Sequence, residues 1–277
     1  MAINPRETPI AFQGERGAYS EEAVAKLFGD APVLPLPTLN DVFAAVSRRE
    51  VHVGVVPVEN STAGSINDTY DLLLRYDLNI CGETQVRVSH CLMALPGEKI
   101  ESLQKVYSHP QALAQCEEFL GKLRIEVIPS YDTAGSAKMI KEHRLAHCAA
   151  VASRRAAGFY DLEILAASIE TNPRNYTRFL VISHEEAQRA EKNKTSIIFA
   201  ANNVPGALYT CMGAFANRKI NLTKLESRPS RDRPWEYVFY ADFEGHKDDA
   251  PCCEALADLR RNNALIKILG SYPAVGE

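Results

Sequence analysis

Two residues at the mouth of a buried segment carry the first chemical signal. Phe179-Leu180-Val181-Ile182 reads as a short core strand, yet Thr177 and Arg178 stand directly before it, where a chain entering a core usually sheds polar groups. Such a pair faces either water or a ligand. A hydroxyl can donate to a departing oxygen, and a guanidinium can hold a carboxylate through two parallel bonds. A second cluster, Glu59-Asn60-Ser61-Thr62, gathers a carboxylate, an amide and two hydroxyls at the exit of an apolar run. Ahead of a helix start, these groups and the helix N–H donors favour an anionic or polar ligand. The stretch SYDTAGS repeats the idea with Thr133 and Ser136. His109, just before Pro110, is a candidate acid or base and equally a structural hydrogen-bonding group ahead of a Pro-started helix.

Other chemistries find less support. Gly14 and Gly17 in GERGAYS match neither phosphate-loop spacing, and the segment reads as a tight turn into a helix capped by Ser20. There is no GxSxG elbow and no cysteine with an assignable histidine partner. Seven cysteines without a CxxC pair read as reduced thiols, with Cys252 and Cys253 on a helix, and the histidines are dispersed. No metal and no cofactor are therefore expected.

The elements that must position these residues follow an α/β pattern. Strand candidates PIAFQG, VGVVPVEN, KVYSH, RIEVIPS, CAAVAS and RFLVIS alternate with helix candidates SEEAVAKLFG, TLNDVFAAVSRRE, SINDTYDLLLRY, PQALAQCEEFLGKL and TAGSAKMIKEHR. That alternation predicts a largely parallel sheet arrangement with ligands beyond the carboxyl ends of the strands. Thr38 with Asp41, and Ser65 with Asp68, have capping-box spacing. Residues 186–194 are polar without an apolar stripe and read as a linker between a domain at 1–185 and one at 195–277. The latter reads β-α-β-β-α-β, a ferredoxin-like order, with Leu208, Cys211, Met212 and Phe215 spaced to pack on its sheet.

With 277 residues, 46% of them hydrophobic, the chain can bury a substantial core. A net charge of −4 with scattered Lys and Arg argues against nucleic acid and for a small-molecule ligand. The N-terminal residues lack a signal pattern, no apolar run is long enough for a bilayer, and the expected location is the cytoplasm.

FQGERGAYSEEA, VPVENSTAGSI, SHPQALAQC, YDTAGSAKMI and NYTRFLVI resemble, in order and spacing, the catalytic domain of prephenate dehydratases. GALYTCMGAFANRKINLTKLESRP through ILGSYP resembles the attached ACT regulatory domain. The resemblance implies two α/β lobes similar to a type II periplasmic binding protein, one near residues 8–84 plus 171–183, the other between, with a cleft separating them. It implies prephenate-to-phenylpyruvate conversion in phenylalanine biosynthesis, without a cofactor. Arogenate dehydratases share the motifs, and a non-catalytic amino-acid sensor is the reading from another class.

The resemblance implies that Thr177 is essential; for that reaction, the residues' chemistry has Arg178 clamp the substrate's side-chain carboxylate and Glu59 or His109 supply a proton directly or through water. Asn60, Ser61, Thr62, Gln111, Thr133, Ser136 and Asn175 position the substrate, and Phe179 packs against its ring. Gly206-Ala207-Leu208 and Glu226-Ser227-Arg228-Pro229 map onto the family's phenylalanine-binding motifs between paired ACT domains. Pairing implies a homodimer or homotetramer. Tyr209 stands where the common motif carries an aliphatic residue.

Overall fold

The computed structural model describes residues 8–229 and 237–275. Ser230 and Glu236, the ends of two expected strands, lie outside them, as do the first seven residues. The chain begins with Ile10–Gln13 (β1), Tyr19–Phe28 (α1), Val33–Leu36 (β2), Leu39–Ser47 (α2), Val53–Asn60 (β3), Gly64–Ser65 (β4), Asn67–Arg75 (α3) and Asn79–Arg87 (β5). His90–Ala94 (β6), Lys105–Ser108 (β7), Pro110–Gln115 (α4), Glu117–Leu120 (α5), Glu126–Pro129 (β8) and Thr133–His143 (α6) follow. Next come Cys148–Ser153 (β9), Arg154–Phe159 (α7), Glu163–Ala167 (β10) and Tyr176–Ser183 (β11). The C-terminal part holds Asn193–Ala201 (β12), Ala207–Ala216 (α8), Leu222–Pro229 (β13), Tyr237–Glu244 (β14), Ala250–Asn262 (α9) and Asn263–Pro273 (β15).

Three sheets form, ordered β2-β1-β3-β11-β5 with β4 on β3, then β10-β6-β9-β7-β8, then β13-β14-β12-β15. The first two are the sheets of the two expected lobes, and the third is the expected ferredoxin-like order. In the second sheet β7 runs parallel to β8 and β9, while β6 runs antiparallel to β9 and β10. This second sheet is therefore mixed rather than largely parallel, because β6 runs against both of its neighbours. The core of this sheet packs Leu92, Val106 and Val151 against Leu113, Cys116 and Leu120. The third sheet buries Phe199 and Phe243 against Phe215, Leu256 and Leu259.

Local signals explain most starts and stops. Thr38 and Asp41 form the expected capping box, each side chain accepting the other's backbone N–H at 3.1 Å. Ser20 is not the cap it was expected to be. The helix starts one residue earlier, Ser20 is buried in its first turn, and Glu21 reaches back to take the Gly17 N–H at 2.5 Å. Ser65 pairs with Glu59 in β4, just before α3. The helix expected over 110–123 breaks at Cys116, which is fully buried with φ −108° and ψ 11°. Leu208, expected in the core, is 36% exposed, while Cys211 and Phe215 are buried as the spacing predicts. His143 and His147 stand four residues apart, but α6 ends at His143, so they share no helix face.

The chain divides into two compact units, Met1–Asn67 with Thr84–Phe179, and Asp68–Glu83 with Leu180–Glu277. Helix α3 and the start of β5 thus belong with the βαββαβ unit, and specific bonds within that unit account for it. Lys267 Nζ donates to the carbonyls of Leu73, Leu74 and Tyr76 at the end of α3, and Tyr240 donates to Tyr70 O at 2.9 Å. Lys194 meets the buried carboxylate of Glu83 at 2.7 Å. Gly270, at φ 147°, lies so close to β5 that a Cβ would sit 2.2 Å from Ile80 O. Gly270→Ala is expected to destabilise the protein by about 3 kcal/mol, through overpacking plus backbone strain, read as a lower urea midpoint. An unchanged midpoint would refute the close approach.

Candidate active site

Asn60, the last residue of β3, is 6% exposed and has every polar atom engaged. Its Oδ1 accepts from Thr62 N at 3.0 Å, Ala63 N at 2.9 Å and Thr62 Oγ1 at 2.7 Å. Those three donors orient the amide, so Nδ2 points the other way. It donates to Asn175 Oδ1 at 2.8 Å, Thr177 Oγ1 at 3.0 Å and Tyr176 O at 3.3 Å. The loop N–H groups of Thr62 and Ala63 are thus occupied by Asn60 itself.

The network continues through residues the sequence reading left without a role. Gln115, at the end of α4, donates to Thr62 Oγ1 at 3.0 Å and accepts from Asn175 Nδ2 at 3.0 Å. Its Oε1 also meets His90 Nε2 at 2.9 Å. Burial holds the His90 imidazole below its ordinary range. The Tyr19 hydroxyl lies 3.1 Å from His90 Nδ1 and donates to Ser89 O at 2.7 Å. Burial raises its phenol well above the usual value. Gln115 lies within SHPQALAQC and His90 beside an apolar run; nothing local in either stretch marks them.

Thr177 is 9% exposed, and Asn60 occupies a lone pair of its oxygen, which leaves the O–H able to donate. Ser61 ties the two strand ends together: its N–H donates to Tyr176 O at 2.8 Å and its Oγ accepts from Tyr176 N at 2.9 Å. Glu59 is half-buried opposite Ser65, Arg178 is half-buried on β11, and Phe179, the next residue of that strand, is buried. The remaining expected residues lie outside this network. His109 accepts from Gln111 N at 3.2 Å as the cap of α4, and both are exposed. Thr133 opens α6 beside Asp132, and Ser136, fully buried, donates to Asp132 O at 2.7 Å.

The loop after β1 docks on the starts of α6 and α7. Glu15 N donates to Asp132 Oδ2 at 3.1 Å, Lys138 pairs with Glu15 at 3.0 Å, and the buried Glu21 pairs with Arg16 and Arg155. Gly17, at φ 84°, leaves no space for a side chain, since a Cβ would stand 2.6 Å from Ala156 Cα.

Next to the network a cavity of about 300 Å³ is lined by Thr62, Gln115, Asn175, Glu170, Glu117 and Glu118 among others. Its volume is at the lower end of the range of small-molecule sites. On the βαββαβ unit, Gly206 caps α8 at φ 81° with open space where a side chain would be, and Tyr209 is exposed. Glu226, Ser227, Arg228 and Pro229 lie on the edge strand β13, where Arg228 Nε is buried without a hydrogen-bond partner among the described residues.

Comparison with known proteins gives a consistent set. The sequence family described as prephenate dehydratase matches residues 10–187. A chloroplastic arogenate dehydratase/prephenate dehydratase of Arabidopsis thaliana is 43% identical over 98% of this chain and 74% of its own length. Among solved structures, a prephenate dehydratase from Arthrobacter aurescens in complex with L-Phe superposes with a TM-score of 0.89 and 30% identity, covering 96% of this chain and 90% of that one. Another, described as a novel type of quorum-quenching acylase, gives a TM-score of 0.88 and 36% identity, covering 96% of this chain and 98% of that one.

Proposed function

The chain belongs to the prephenate dehydratase family, and from that premise we propose that it converts prephenate to phenylpyruvate under feedback control by L-phenylalanine. The observation that carries the reading is the Asn60–Asn175–Thr177 amide and hydroxyl cluster, which holds one O–H ready to donate beside a cavity of substrate size. In the reaction the C–O bond to the ring hydroxyl and the C–C bond to the ring carboxylate break. The electron pair of the latter enters the ring, one proton is taken up, and water and carbon dioxide leave. Aromatisation drives the step, so the protein's tasks are orientation and stabilisation of the departing oxygen.

Thr177 donates to that oxygen. Arg178 holds the side-chain carboxylate, because an ion pair on the ring carboxylate would stabilise the charge that must be lost. Thr62, Gln115 and Asn175 position the ring, and Phe179 supports the strand from below. Prephenate and arogenate differ in a ketone and an amine, and both fit this scheme. The test is turnover of each substrate with and without L-phenylalanine. Phenylpyruvate release from prephenate, inhibited by phenylalanine, supports the reading. Turnover of arogenate alone would transfer the mechanism to the sister substrate, and binding without turnover would leave a sensor. An acyl-transfer reading, suggested by the acylase likeness, finds less support: Thr177 has an amide at its oxygen and no imidazole or carboxylate partner among the described residues.

For regulation, Gly206-Ala207-Leu208 and Glu226–Pro229 bind phenylalanine between paired βαββαβ domains, making the enzyme a homodimer or a homotetramer. The unpartnered Arg228 Nε supports a ligand there. The chain's seven free thiols suit the cytoplasm or another reducing compartment, and no described helix is long and apolar enough to cross a membrane. Arg228→Ala is expected to raise the phenylalanine concentration for half-inhibition about tenfold, within coupling energies of about 1–3 kcal/mol, and to leave basal turnover unchanged. Unaltered inhibition would remove this effector site.

A further inference from the structure

The side chains of Asn60, Thr62, Gln115 and Asn175 close a circuit of hydrogen bonds that all run the same way. Asn60 Nδ2 donates to Asn175 Oδ1 at 2.8 Å, Asn175 Nδ2 to Gln115 Oε1 at 3.0 Å, Gln115 Nε2 to Thr62 Oγ1 at 3.0 Å, and Thr62 Oγ1 to Asn60 Oδ1 at 2.7 Å. The longer contact of Thr62 Oγ1 with Asn175 Oδ1, 3.3 Å, needs the same amide orientation. Each amide donates at one end and accepts at the other, so none can turn without opposing its neighbours. The direction matters for Thr177. Run this way, the circuit sets Asn60 Nδ2 against Thr177 Oγ1 and leaves the hydroxyl proton for another acceptor. Run the other way, it would set Asn60 Oδ1 there and take that proton.

Groups outside the circuit fix its direction at two places. At the first, the backbone N–H groups of Thr62 and Ala63, which can only donate, meet Asn60 Oδ1. Followed from there through Asn175, the Gln115 atom that lies 2.9 Å from His90 Nε2 is the oxygen. His90 Nε2 must therefore carry a proton, as it does in the Nε2–H tautomer and in the cation; only the Nδ1–H tautomer is excluded. The rest of His90 is held in place. It is 2% exposed, its backbone N–H donates to Glu170 Oε2 at 2.9 Å, and Tyr19 meets the imidazole edge-on with ring centroids 5.6 Å apart.

We propose that His90 is a positioning residue for catalysis: acting through Gln115, it keeps the circuit running in the direction that frees the Thr177 hydroxyl. This rests on the dehydratase reading, in which that hydroxyl donates to the departing oxygen. His90 touches no substrate in this role. Without its Nε2–H, Gln115 and Asn175 can turn together, which sets Asn175 Nδ2 against Asn60 Nδ2, two donors where a donor and an acceptor stood. Asn60 stays anchored on the loop N–H groups, so the loss is partial.

The test joins nitrogen NMR of the histidine rings with steady-state kinetics on prephenate. In the wild type, with the His90 signal assigned as the one that His90→Gln removes, Nε2 is expected to be protonated. A glutamine amide reaches the place of Nε2, whereas an asparagine amide reaches only that of Nδ1, so the first variant keeps the donor and the second loses it. His90→Asn should lower kcat about tenfold with KM within about twofold, while His90→Gln stays within about threefold of wild type. On a Gln115→Met background His90→Asn should cost no further kcat, because its route runs through Gln115; a residue that merely filled space would lose activity on either background. An Nδ1–H tautomer in the wild type, equal losses in the two His90 variants, or multiplicative losses with Gln115→Met overturns the inference alone. A wild type without turnover on prephenate or arogenate overturns the dehydratase reading and the inference with it.

Discussion

Thr177→Ala is expected to lower kcat by about 10²–10³-fold while leaving KM within a few-fold, and Thr177→Ser to keep most of the rate. The asymmetry follows from the hydrogen-bond inventory. Asn60 Nδ2 donates to Thr177 Oγ1 at 3.0 Å and fixes the oxygen, so the hydroxyl proton is directed by its surroundings before substrate arrives. Preorganised donors aimed at developing charge act mainly in the transition state, which places the loss in kcat rather than KM. Alanine removes the donor and leaves Asn60 Nδ2 with Asn175 Oδ1 and Tyr176 O, so the scaffold survives. Serine restores the donor without the methyl group. Steady-state kinetics of both variants on prephenate decide the matter. A raised KM with kcat intact would mean that Thr177 binds substrate equally in both states and is not the donor to the leaving oxygen.

How much of this was legible without coordinates varies with the range of the interaction. Asn60, Ser61, Thr62 and Thr177 were marked by polar residues abutting apolar runs, Asn175 was named only through the family resemblance, and the structure joins all of them. The alternation of strand and helix, and the βαββαβ order after residue 192, were equally visible, because hydrophobic periodicity is local. Strand β5 was hidden. It carries Glu83 in its interior, which looks like surface until Lys194, 111 residues away, is seen to pair with it. His90, Gln115 and Glu170 were missed for the same reason. Each is an isolated polar residue whose meaning lies in partners across the fold: Gln115 with Asn175, 60 residues on, and Glu170 with His90, 80 residues back. Ser20 erred in the other direction: a residue with local capping chemistry lies inside the first turn, because the helix starts at Tyr19 after Ala18.

Asn60→Asp should be more damaging than loss of Thr177, lowering kcat by about 10³-fold or more and stability by about 2–4 kcal/mol. The substitution conserves shape, and the new carboxylate still accepts from the N–H groups of Thr62 and Ala63. On its other side, however, a donor becomes an acceptor facing three acceptors, Asn175 Oδ1, Thr177 Oγ1 and Tyr176 O. Thr177 can relieve the conflict only by turning its proton toward position 60, which withdraws the hydrogen bond from substrate. Asn175 can relieve it only by flipping its amide, which breaks its donation to Gln115 Oε1. A buried carboxyl group among acceptors is favoured in its protonated form, and its O–H would then replace the lost amide donor. The kcat of the variant relative to wild type should therefore rise as pH falls. Because Thr177 acts through the same arrangement, Asn60→Asp combined with Thr177→Ala should be little worse than Asn60→Asp alone. Kinetics across pH and a double-mutant cycle measure both effects. Multiplicative losses in the double variant, or a deficit that does not shrink at low pH, would show that Asn60 acts by some route other than holding the Thr177 hydroxyl.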